Sequence, residues 1–447
     1  MNVQPLTRRS DDTASAEGRV RRVHEILRRH GAAIPIRLWN GVELGPPDQP
    51  YRVVLNQPWS LRQLLVPPTD LSAGEAYVFG AVDVDGSMVE ALRSVARLRT
   101  TIRLGWSERV ELGTTLLSLA TPPKRRERRG PELSGRTHSK QRDAQAVRFH
   151  YDVGNDFYRL FLDAQLVYSC GYFSDEDPSD PASDPQALDR AQLRKLDMVC
   201  RKLRLREGDR LLDIGCGWGS LVVHAAVNYG ARAVGITLST QQAELARERA
   251  RRAGVADRVE IRVEDYRDTS GTFDAVASIG MFEHVGENMF TTYFARAYEL
   301  TAPGGRFLNH AITTGRRDTI RALSHGRSFV GRYVFPDGTL APAHVAVRMM
   351  EQAGFELLDV HQLRRHYART LRHWVHNLEE NVDSAREVAG EATYRTWRAY
   401  MSGSVVGFED NDLGVTQVLG VKGDHDLPLG RQWMEPISLG TSSGGPR

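Results

Sequence analysis

The sequence has little cysteine and no long apolar run. Its 447 residues include only three cysteines, Cys170, Cys200 and Cys216, and these form no CxxC pair and no Cys/His cluster at zinc spacing. A disulfide scaffold and a structural zinc site are therefore excluded. No apolar stretch approaches the ~20 residues that a helix needs to span a bilayer. Basic residues number 59 and acidic residues 56, so the net charge of +3 does not by itself indicate a nucleic-acid partner.

The composition is that of a globular protein. Hydrophobic residues make up 41% and charged residues 26% of the chain, whose length suits about two to four domains. The first residues carry Arg8 and Arg9 without the apolar segment of a secretory signal, so we expect a cytoplasmic protein.

Composition also divides the chain into segments. Residues 426–447 form a C-terminal tail. Residues 1–17 are polar and turn-rich and the last residues of the tail, 440–447, are rich in Ser, Gly and Pro, so we expect both to be loose. Residues 18–120 combine an amphipathic helix with strand-like runs, which predicts a small α+β domain. Residues 121–146 hold three prolines and a basic cluster at 124–129. This composition predicts an interdomain linker.

Residues 147–425 alternate short apolar strands with amphipathic helices, of which STQQAELARERARRAG is the clearest. Such alternation favours a mostly parallel sheet with helices on both faces. We therefore predict an α/β fold with a doubly wound, Rossmann-like sheet, joined to the smaller N-terminal domain.

A glycine-rich turn follows the first strand of this segment. Residues 211–221 read LLDIGCGWGSL, with Asp213 before glycines 215, 217 and 219. Such a turn lets a ligand approach the backbone and exposes the N–H groups that begin the next helix. The turn lacks the GxGxxG spacing of dinucleotide sites, and Asp213 suits a cationic or amino-acid-like ligand better than a phosphate. A purely structural turn is the alternative.

This DxGxGxG pattern resembles the first motif of class I S-adenosylmethionine methyltransferases. Further motifs narrow the resemblance: FHYDVGNDFYRLFLD and YSCGYF lie upstream, and GITLSTQQ, FEHVG, FPDGTLAP, HYARTLRHW and YMSG lie downstream. Together they are similar to the cyclopropane-fatty-acyl-phospholipid synthase family, which includes the mycolic acid cyclopropane synthases. The likeness spans roughly residues 147–420.

The resemblance implies S-adenosylmethionine as the methyl donor. The positions that match the family's cofactor contacts are Tyr168 and Ser169 at the methionine end, Asp213, Gly215 and Gly217 in the loop beneath it, Thr237 and Gln242 after the second strand, and Glu264 and Asp265 near the adenine. In most class I methyltransferases the second strand ends in an acid, whereas here it ends in Thr237, as in the cyclopropane synthases. An exposed helix residue is the alternative for Gln242.

The resemblance also implies the chemistry. The family methylates an alkene, and bound bicarbonate then removes a proton from the resulting carbocation. The matching positions are Glu283, His310, Tyr400 and the backbone of Cys170 and Ile312. His310 and Tyr400 can donate to an anion, and Glu283 can orient bicarbonate through its O–H. The alternatives are a helix-start acid for Glu283, a satisfied core histidine for His310, and a packing role with a surface hydroxyl for Tyr400.

Two departures from the family leave the product open. Asn309 stands where relatives usually have an apolar residue, and Glu409 stands where a basic residue is common. The product is therefore a cyclopropane or a 10-methylene chain, the latter reduced to a methyl branch by a flavin/NADPH reductase partner.

The N-terminal domain favours acyl chains of phospholipids as the substrate. We expect peripheral contact with an anionic membrane surface, a homo-oligomer and no nucleic-acid partner. The alternative function is a non-catalytic lipid-binding scaffold subunit that keeps the methyltransferase fold. A nucleic-acid methyltransferase is disfavoured, since the sequence has no NPPY-type or PC-type motif and its basic residues are not interleaved with aromatics.

Overall fold

The computed structural model describes residues 7–123, 130–151, 153–316, 319–323 and 328–435. The basic cluster predicted at 124–129 and most of the predicted C-terminal tail lie outside these ranges. No helix in the described ranges is long and apolar enough to cross a membrane.

The secondary structure alternates between strands and helices through most of the chain. The strands are β1 (Ile36–Arg37), β2 (Glu43–Leu44), β3 (Tyr51–Leu55), β4 (Val82–Gly86), β5 (Arg210–Ile214), β6 (Arg232–Thr237), β7 (Val259–Val263), β8 (Phe273–Ile279), β9 (Thr301–Thr314), β10 (Arg321–Ala322), β11 (Thr339–Pro342), β12 (Phe355–Gln362) and β13 (Leu413–Lys422). The helices are α1 (Thr7–Arg29), α2 (Ser60–Leu65), α3 (Asp70–Val78), α4 (Met88–Thr101), α5 (Trp106–Ser118), α6 (Lys140–Tyr151), α7 (Asn155–Arg159), α8 (Ala187–Lys202), α9 (Ser220–Tyr229), α10 (Thr240–Arg252), α11 (Phe290–Leu300), α12 (Phe329–Tyr333), α13 (Ala343–Gln352), α14 (Arg364–Glu380), α15 (Val382–Ala389) and α16 (Glu391–Glu409).

The chain forms two compact units. The first is drawn from Met1–Gly130, Ser324–Val334 and Ala389–Val406, and the second from the remaining segments. Two of these segments fall inside the 147–425 stretch that the sequence assigns to the methyltransferase domain. They join the first unit because apolar residues such as Phe329 and Ala392 pack in a cluster with Tyr77.

The first unit is a small α+β structure. Its sheet has the order β2-β1-β3-β4, in which only the β1–β3 pair is parallel. Helix α1 begins at Thr7, inside the segment 1–17 for which the sequence predicts a loose conformation. Ala16, Val20 and Val23 lie on one face of this helix and are buried in the unit's core. Burial of this face explains the helical conformation.

The second unit contains the predicted doubly wound sheet. Strands β7-β6-β5-β8-β9 are adjacent and parallel. Strand β13 then pairs antiparallel with β9, and β12 pairs antiparallel with β13. Strand β11 pairs parallel with the end of β9, and β10 pairs antiparallel with β11. The prediction of a mostly parallel α/β fold with a smaller N-terminal α+β domain is confirmed.

Helices cover both faces of this sheet. Leu211 and Ala275 point into one core, which they share with residues of α8, α9 and α10. Their neighbours Leu212 and Val276 point into a second core with residues of α11 and α13. Because both faces are buried, polar side chains that follow the strands concentrate at the edge where the parallel strands end.

The substitution Gly219→Ala tests how tightly the loop after β5 packs. Gly219 has a φ of +78°, and a Cβ at this position would lie 2.9 Å from the Cβ of Ala246 on α10. We expect a loss of about 2–4 kcal/mol in the free energy of unfolding, since backbone strain and overlap add.

The matched control is Gly254→Ala, where φ is +69° but no atom lies within 4 Å of the added Cβ. This variant should lose only about 1–2 kcal/mol, the cost of the left-handed backbone alone. Urea unfolding measures both. Equal losses in the two variants would contradict the close contact with α10.

Candidate active site

The glycine-rich loop is tied to the neighbouring strand. The N–H groups of Gly215 and Cys216 donate to the carbonyl of Ile236 on β6, at 3.0 and 2.9 Å. Gly215 and Gly217 have φ values of +83° and +52°, which side chains rarely allow. The loop therefore holds one backbone shape beside the end of β6.

A cleft opens at the edge where the parallel strands end. It has about 740 Å³ of space, part of it open to solvent. Six residues predicted to contact the cofactor line it: Gly215, Gly217, Thr237, Gln242, Glu264 and Asp265. Asp143, Val147 and Tyr151 of α6 also line it, as do residues after β8 such as Met281. Helix α6 was not predicted from the sequence, because its first residues fall in the segment predicted to be a linker.

Thr237 and Gln242 form one buried unit. The hydroxyl of Thr237 donates to Oε1 of Gln242 at 2.8 Å, and the N–H of Ser239 donates to Thr237 Oγ1 at 3.2 Å. Ser239 also caps α10, accepting from the N–H of Gln242. Gln242 is only 3% exposed, so it is not an exposed helix residue.

The two acidic residues after β7 differ in how they are paired. Asp265 accepts two hydrogen bonds from the guanidinium of Arg267, at 2.7 and 2.6 Å, and one from its backbone N–H at 2.9 Å. The Arg267 guanidinium also donates to Asp143 at 2.9 Å. Glu264 has a buried Oε2 with no hydrogen-bond partner among the described residues, and Arg262 lies 3.8 Å from it. Glu264 can therefore accept a hydrogen bond from a hydroxyl or amine of a ligand.

Asp213, Ser169 and Tyr168 are not part of the cleft lining. Asp213 lies inside β5, where burial raises its pKa to about 7 and the charge of Lys195 partly opposes this shift. Ser169 accepts a hydrogen bond from Lys195 at 3.1 Å. The ring of Tyr168 stacks on Trp374 with centroids 5.1 Å apart.

Glu283 lies in a short 3₁₀ turn, Phe282–His284, that follows β8. Its Oε1 accepts the backbone N–H of Ile312 at 2.6 Å. Its Oε2 is buried and has no hydrogen-bond partner among the described residues. Burial raises the pKa of this carboxyl to about 7, and the bond from Ile312 partly opposes the shift. The backbone of Ile312 thus anchors Glu283.

His310 lies on β9 opposite Gln417 of β13. Nε2 of Gln417 lies 3.2 Å from Nδ1 of His310. With the Gln417 amide in this orientation its nitrogen donates, so Nδ1 accepts and the ring carries its proton on Nε2. That Nε2 is buried and has no partner within the described ranges, so His310 is not a satisfied core histidine. Burial lowers the pKa of His310 to about 3, with Lys195 as a further cause, and the ring is neutral at pH 7.

Cys170 and Tyr400 are two further positions that the resemblance implies for the chemistry. Cys170 is fully buried, its Sγ lies 3.2 Å from the carbonyl of Gly171, and burial raises the pKa of the thiol. It is therefore not a thiolate nucleophile. Tyr400 lies on α16 in the first unit and packs in an apolar cluster with Ala399. The role that the resemblance implies for Tyr400 stays a prediction.

Glu283 and His310 together offer one acceptor and one donor, both buried and both available to a ligand. A buried acceptor and a buried donor of this kind suit a group that has both an O–H and an acceptor oxygen. Among the described residues no group of three or more His, Cys, Asp and Glu side chains is arranged to hold a metal ion.

The chain is similar to known proteins over most of its length. The family described as mycolic acid cyclopropane synthetase matches residues 138–418. A probable fatty acid methyltransferase of Pseudomonas putida is 38% identical over 408 residues, which cover 89% of this chain and 95% of that protein. The cyclopropane-fatty-acyl-phospholipid synthase of Escherichia coli K12 is 34% identical over 285 residues, 64% of this chain and 70% of that one.

A solved structure of a mycolic acid cyclopropane synthase is similar to this chain. The mycolic acid cyclopropane synthase CmaA1, complexed with S-adenosylhomocysteine and CTAB, superposes with a TM-score of 0.57 at 30% identity. The likeness covers 62% of this chain and 98% of that one.

The substitution Glu283→Gln tests the burial of this carboxyl without any substrate. Its pKa is raised from 4.5 to about 7 in the folded protein. Between these values the folded state binds more protons than the unfolded state, so Glu283 makes the protein less stable as the pH rises through this window. Relative to the parent, the variant should gain stability between pH 5 and pH 8, by up to about 3 kcal/mol.

Urea unfolding at the two pH values measures this gain. The matched control is Glu287→Gln, an exposed residue four positions along the chain, which should change stability equally at both pH values. If Glu283→Gln showed the same small effect at pH 5 and pH 8, the raised pKa would be refuted.

Proposed function

The chain belongs to the mycolic acid cyclopropane synthetase family of methyltransferases, and we propose that it methylates the double bond of unsaturated acyl chains in phospholipids. The observation that carries the proposal is the pair of Glu283 and His310. Each has a buried polar atom that the described protein leaves without a partner. Leaving such atoms unsatisfied is costly, typically by about 1–3 kcal/mol each, and a bound reactant removes this cost.

S-adenosylmethionine, when bound, supplies an electrophilic methyl group. Three features of the cleft residues suit this cofactor. The backbone of Gly215 and Gly217 has no side chain between it and the ligand. Gln242 is already oriented by Thr237. Glu264 has a free acceptor for the hydroxyl groups or the amine of an adenosyl group. The relative solved with S-adenosylhomocysteine supports this assignment.

Bicarbonate, when bound, supplies the base that takes up the proton from the methylated chain. Glu283 is held by the N–H of Ile312 and accepts the O–H of the anion through Oε2. His310 donates from Nε2 to an anionic oxygen, and Gln417 keeps the ring in the tautomer that this requires. Burial of both side chains excludes water, which would otherwise quench a carbocation.

The product depends on where the positive charge lies when the proton is lost. Loss of a proton from the added methyl group while the charge is on the neighbouring carbon closes a cyclopropane ring. If a 1,2-hydride shift first moves the charge to the carbon that bears the new methyl group, loss of a proton from that methyl group gives a methylene branch, which a flavin/NADPH reductase would convert to a methyl branch. The relatives include a protein named cyclopropane-fatty-acyl-phospholipid synthase and another named tuberculostearic acid methyltransferase. Both products are therefore candidates within one proposed mechanism.

An assay on phospholipid vesicles tests the function. We expect the protein to transfer the labelled methyl group of S-adenosylmethionine to dioleoyl phosphatidylglycerol, which adds the mass of one CH₂ to the fatty acid. Olefinic proton signals distinguish a methylene branch from a ring. Glu283→Gln should lower turnover at least a hundredfold, consistent with the usual contribution of acid–base groups, while S-adenosylhomocysteine still binds.

Other outcomes would point elsewhere. Binding of S-adenosylhomocysteine without methyl transfer from any vesicle would support the non-catalytic scaffold and contradict the proposal. If Glu283→Gln turned over at the same rate as the parent, this carboxyl would not take part in the reaction.

An exposed apolar stripe on α5 supports contact with a membrane. Trp106, Val110 and Leu117 are exposed by 80%, 49% and 56%. They lie within about 40° of one another around the helix axis. The side of α5 that carries Leu112 and Leu116 packs into the core of the first unit. Arg109, which is also exposed, lies beside the stripe. We propose that this stripe enters the headgroup region of an anionic bilayer, where tryptophan and arginine are favourable.

The double substitution Trp106→Ala, Leu117→Ala tests this surface. It should lower partitioning onto phosphatidylglycerol vesicles at least tenfold in a sedimentation assay. Affinity for S-adenosylhomocysteine should not change.

The control is Val227→Ala, because Val227 is an exposed apolar residue on α9, 50% accessible. It should bind vesicles like the parent. Unchanged vesicle binding together with a smaller oligomer in the double variant would show that a second copy of the chain covers the stripe, and would refute the membrane contact.

A further inference from the structure

Helix α8 holds the segment that carries Ser169. Gln192 and Lys195 lie one turn apart on this helix and are 0% and 1% exposed. Nε2 of Gln192 donates to the carbonyl of Ser169 at 2.8 Å, and Nζ of Lys195 donates to its hydroxyl oxygen at 3.1 Å. The helix therefore fixes both the backbone and the side chain of Ser169.

Lys195 is a buried cation without an ion pair. Within the described residues, no carboxylate oxygen lies close enough to Nζ to form a salt bridge, although Asp163 and Asp213 lie near enough to act on its charge. Asp163 instead accepts the backbone N–H groups of Gln165 and Val167, both at 2.8 Å. The other buried lysine of α8, Lys202, has a direct partner, Asp359, at 2.7 Å. A buried charge that lacks such a partner is costly, so Lys195 is expected to serve a ligand.

The contact with Lys195 also decides how Ser169 can bind. An ammonium group has donors only, so it occupies one of the two acceptor sites of the hydroxyl. The O–H proton of Ser169 then remains available to an acceptor. Together the two residues provide a hydrogen-bond donor backed by a positive charge, which is complementary to a carboxylate.

We infer that Lys195 is a positioning residue which, through Ser169, binds the carboxylate at the amino-acid end of the cofactor. This inference rests on the proposed function, since it takes S-adenosylmethionine as the ligand. Under the proposed function, the adenosyl end would occupy the cleft that Gln242 and Glu264 line. The Ser169–Lys195 pair serves the opposite end, which the cleft lining does not include.

The experiment compares two ligands that share the adenosyl group. S-adenosylhomocysteine has the amino-acid carboxylate, and 5′-methylthioadenosine lacks the amino-acid part. Calorimetry on the full chain should show that Lys195→Met and Ser169→Ala each weaken binding of S-adenosylhomocysteine about tenfold, the effect of losing one charge-assisted contact. Both variants should bind 5′-methylthioadenosine within twofold of the parent. The double variant should bind S-adenosylhomocysteine about as weakly as the weaker-binding single variant, because the two residues act as one unit.

Controls separate this role from a structural one. Lys202→Met removes the other buried lysine of α8 and should leave the ratio of the two affinities unchanged. Equal weakening of both ligands in Ser169→Ala, or no weakening of S-adenosylhomocysteine, would overturn the inference. Ser169→Ala decides the matter if Lys195→Met does not fold. If the parent binds neither ligand, the proposed function itself fails.

Discussion

Desolvation at one edge of the sheet is the constraint on which the rest of the structure depends. Five parallel strands end at this edge, and helices cover both faces of the sheet. Polar residues within or just after the strands, such as Asp213, Thr237, Glu283 and His310, are therefore buried. Each must find a partner in the protein or leave a site for a ligand. Thr237 finds Gln242, whereas Glu283 and His310 each keep one atom for a ligand.

Local patterns were enough to predict one end of the site. The strand alternation predicted the sheet, and the glycine spacing predicted a tight turn, in which Gly215 and Gly217 have positive φ values. The resemblance named Thr237, Gln242 and Glu264, and these line one cleft because adjacent parallel strands deliver them to the same edge. The turn depends on residues that are neighbours in sequence, and the cleft lining depends on the order of the strands. Both kinds of information are present in a single sequence.

Other partners could not be predicted because they are far apart in sequence. Gln417 meets His310 only because β13 inserts antiparallel beside β9. Asp143 meets Arg267 only because α6 packs beside the end of β7, and nothing in a polar stretch with three prolines signals a helix there. Lys195 reads as an ordinary residue of an amphipathic helix until its burial is known. Segments 324–334 and 389–406 also belong to the first unit because of packing between residues that are far apart in sequence.

Lys195 links the two ends of the proposed site through its charge. Burial is the main cause that lowers the pKa of His310, and the charge of Lys195 acts in the same direction. A neutral His310 with its proton on Nε2 donates one hydrogen bond and brings no charge of its own. In its ionised form Glu283 accepts one hydrogen bond, which a fully ionised anion cannot supply. Under the proposed function, the site therefore selects bicarbonate over carbonate by its O–H group, while the charge that favours an anion comes from Lys195, which also holds Ser169 for the cofactor.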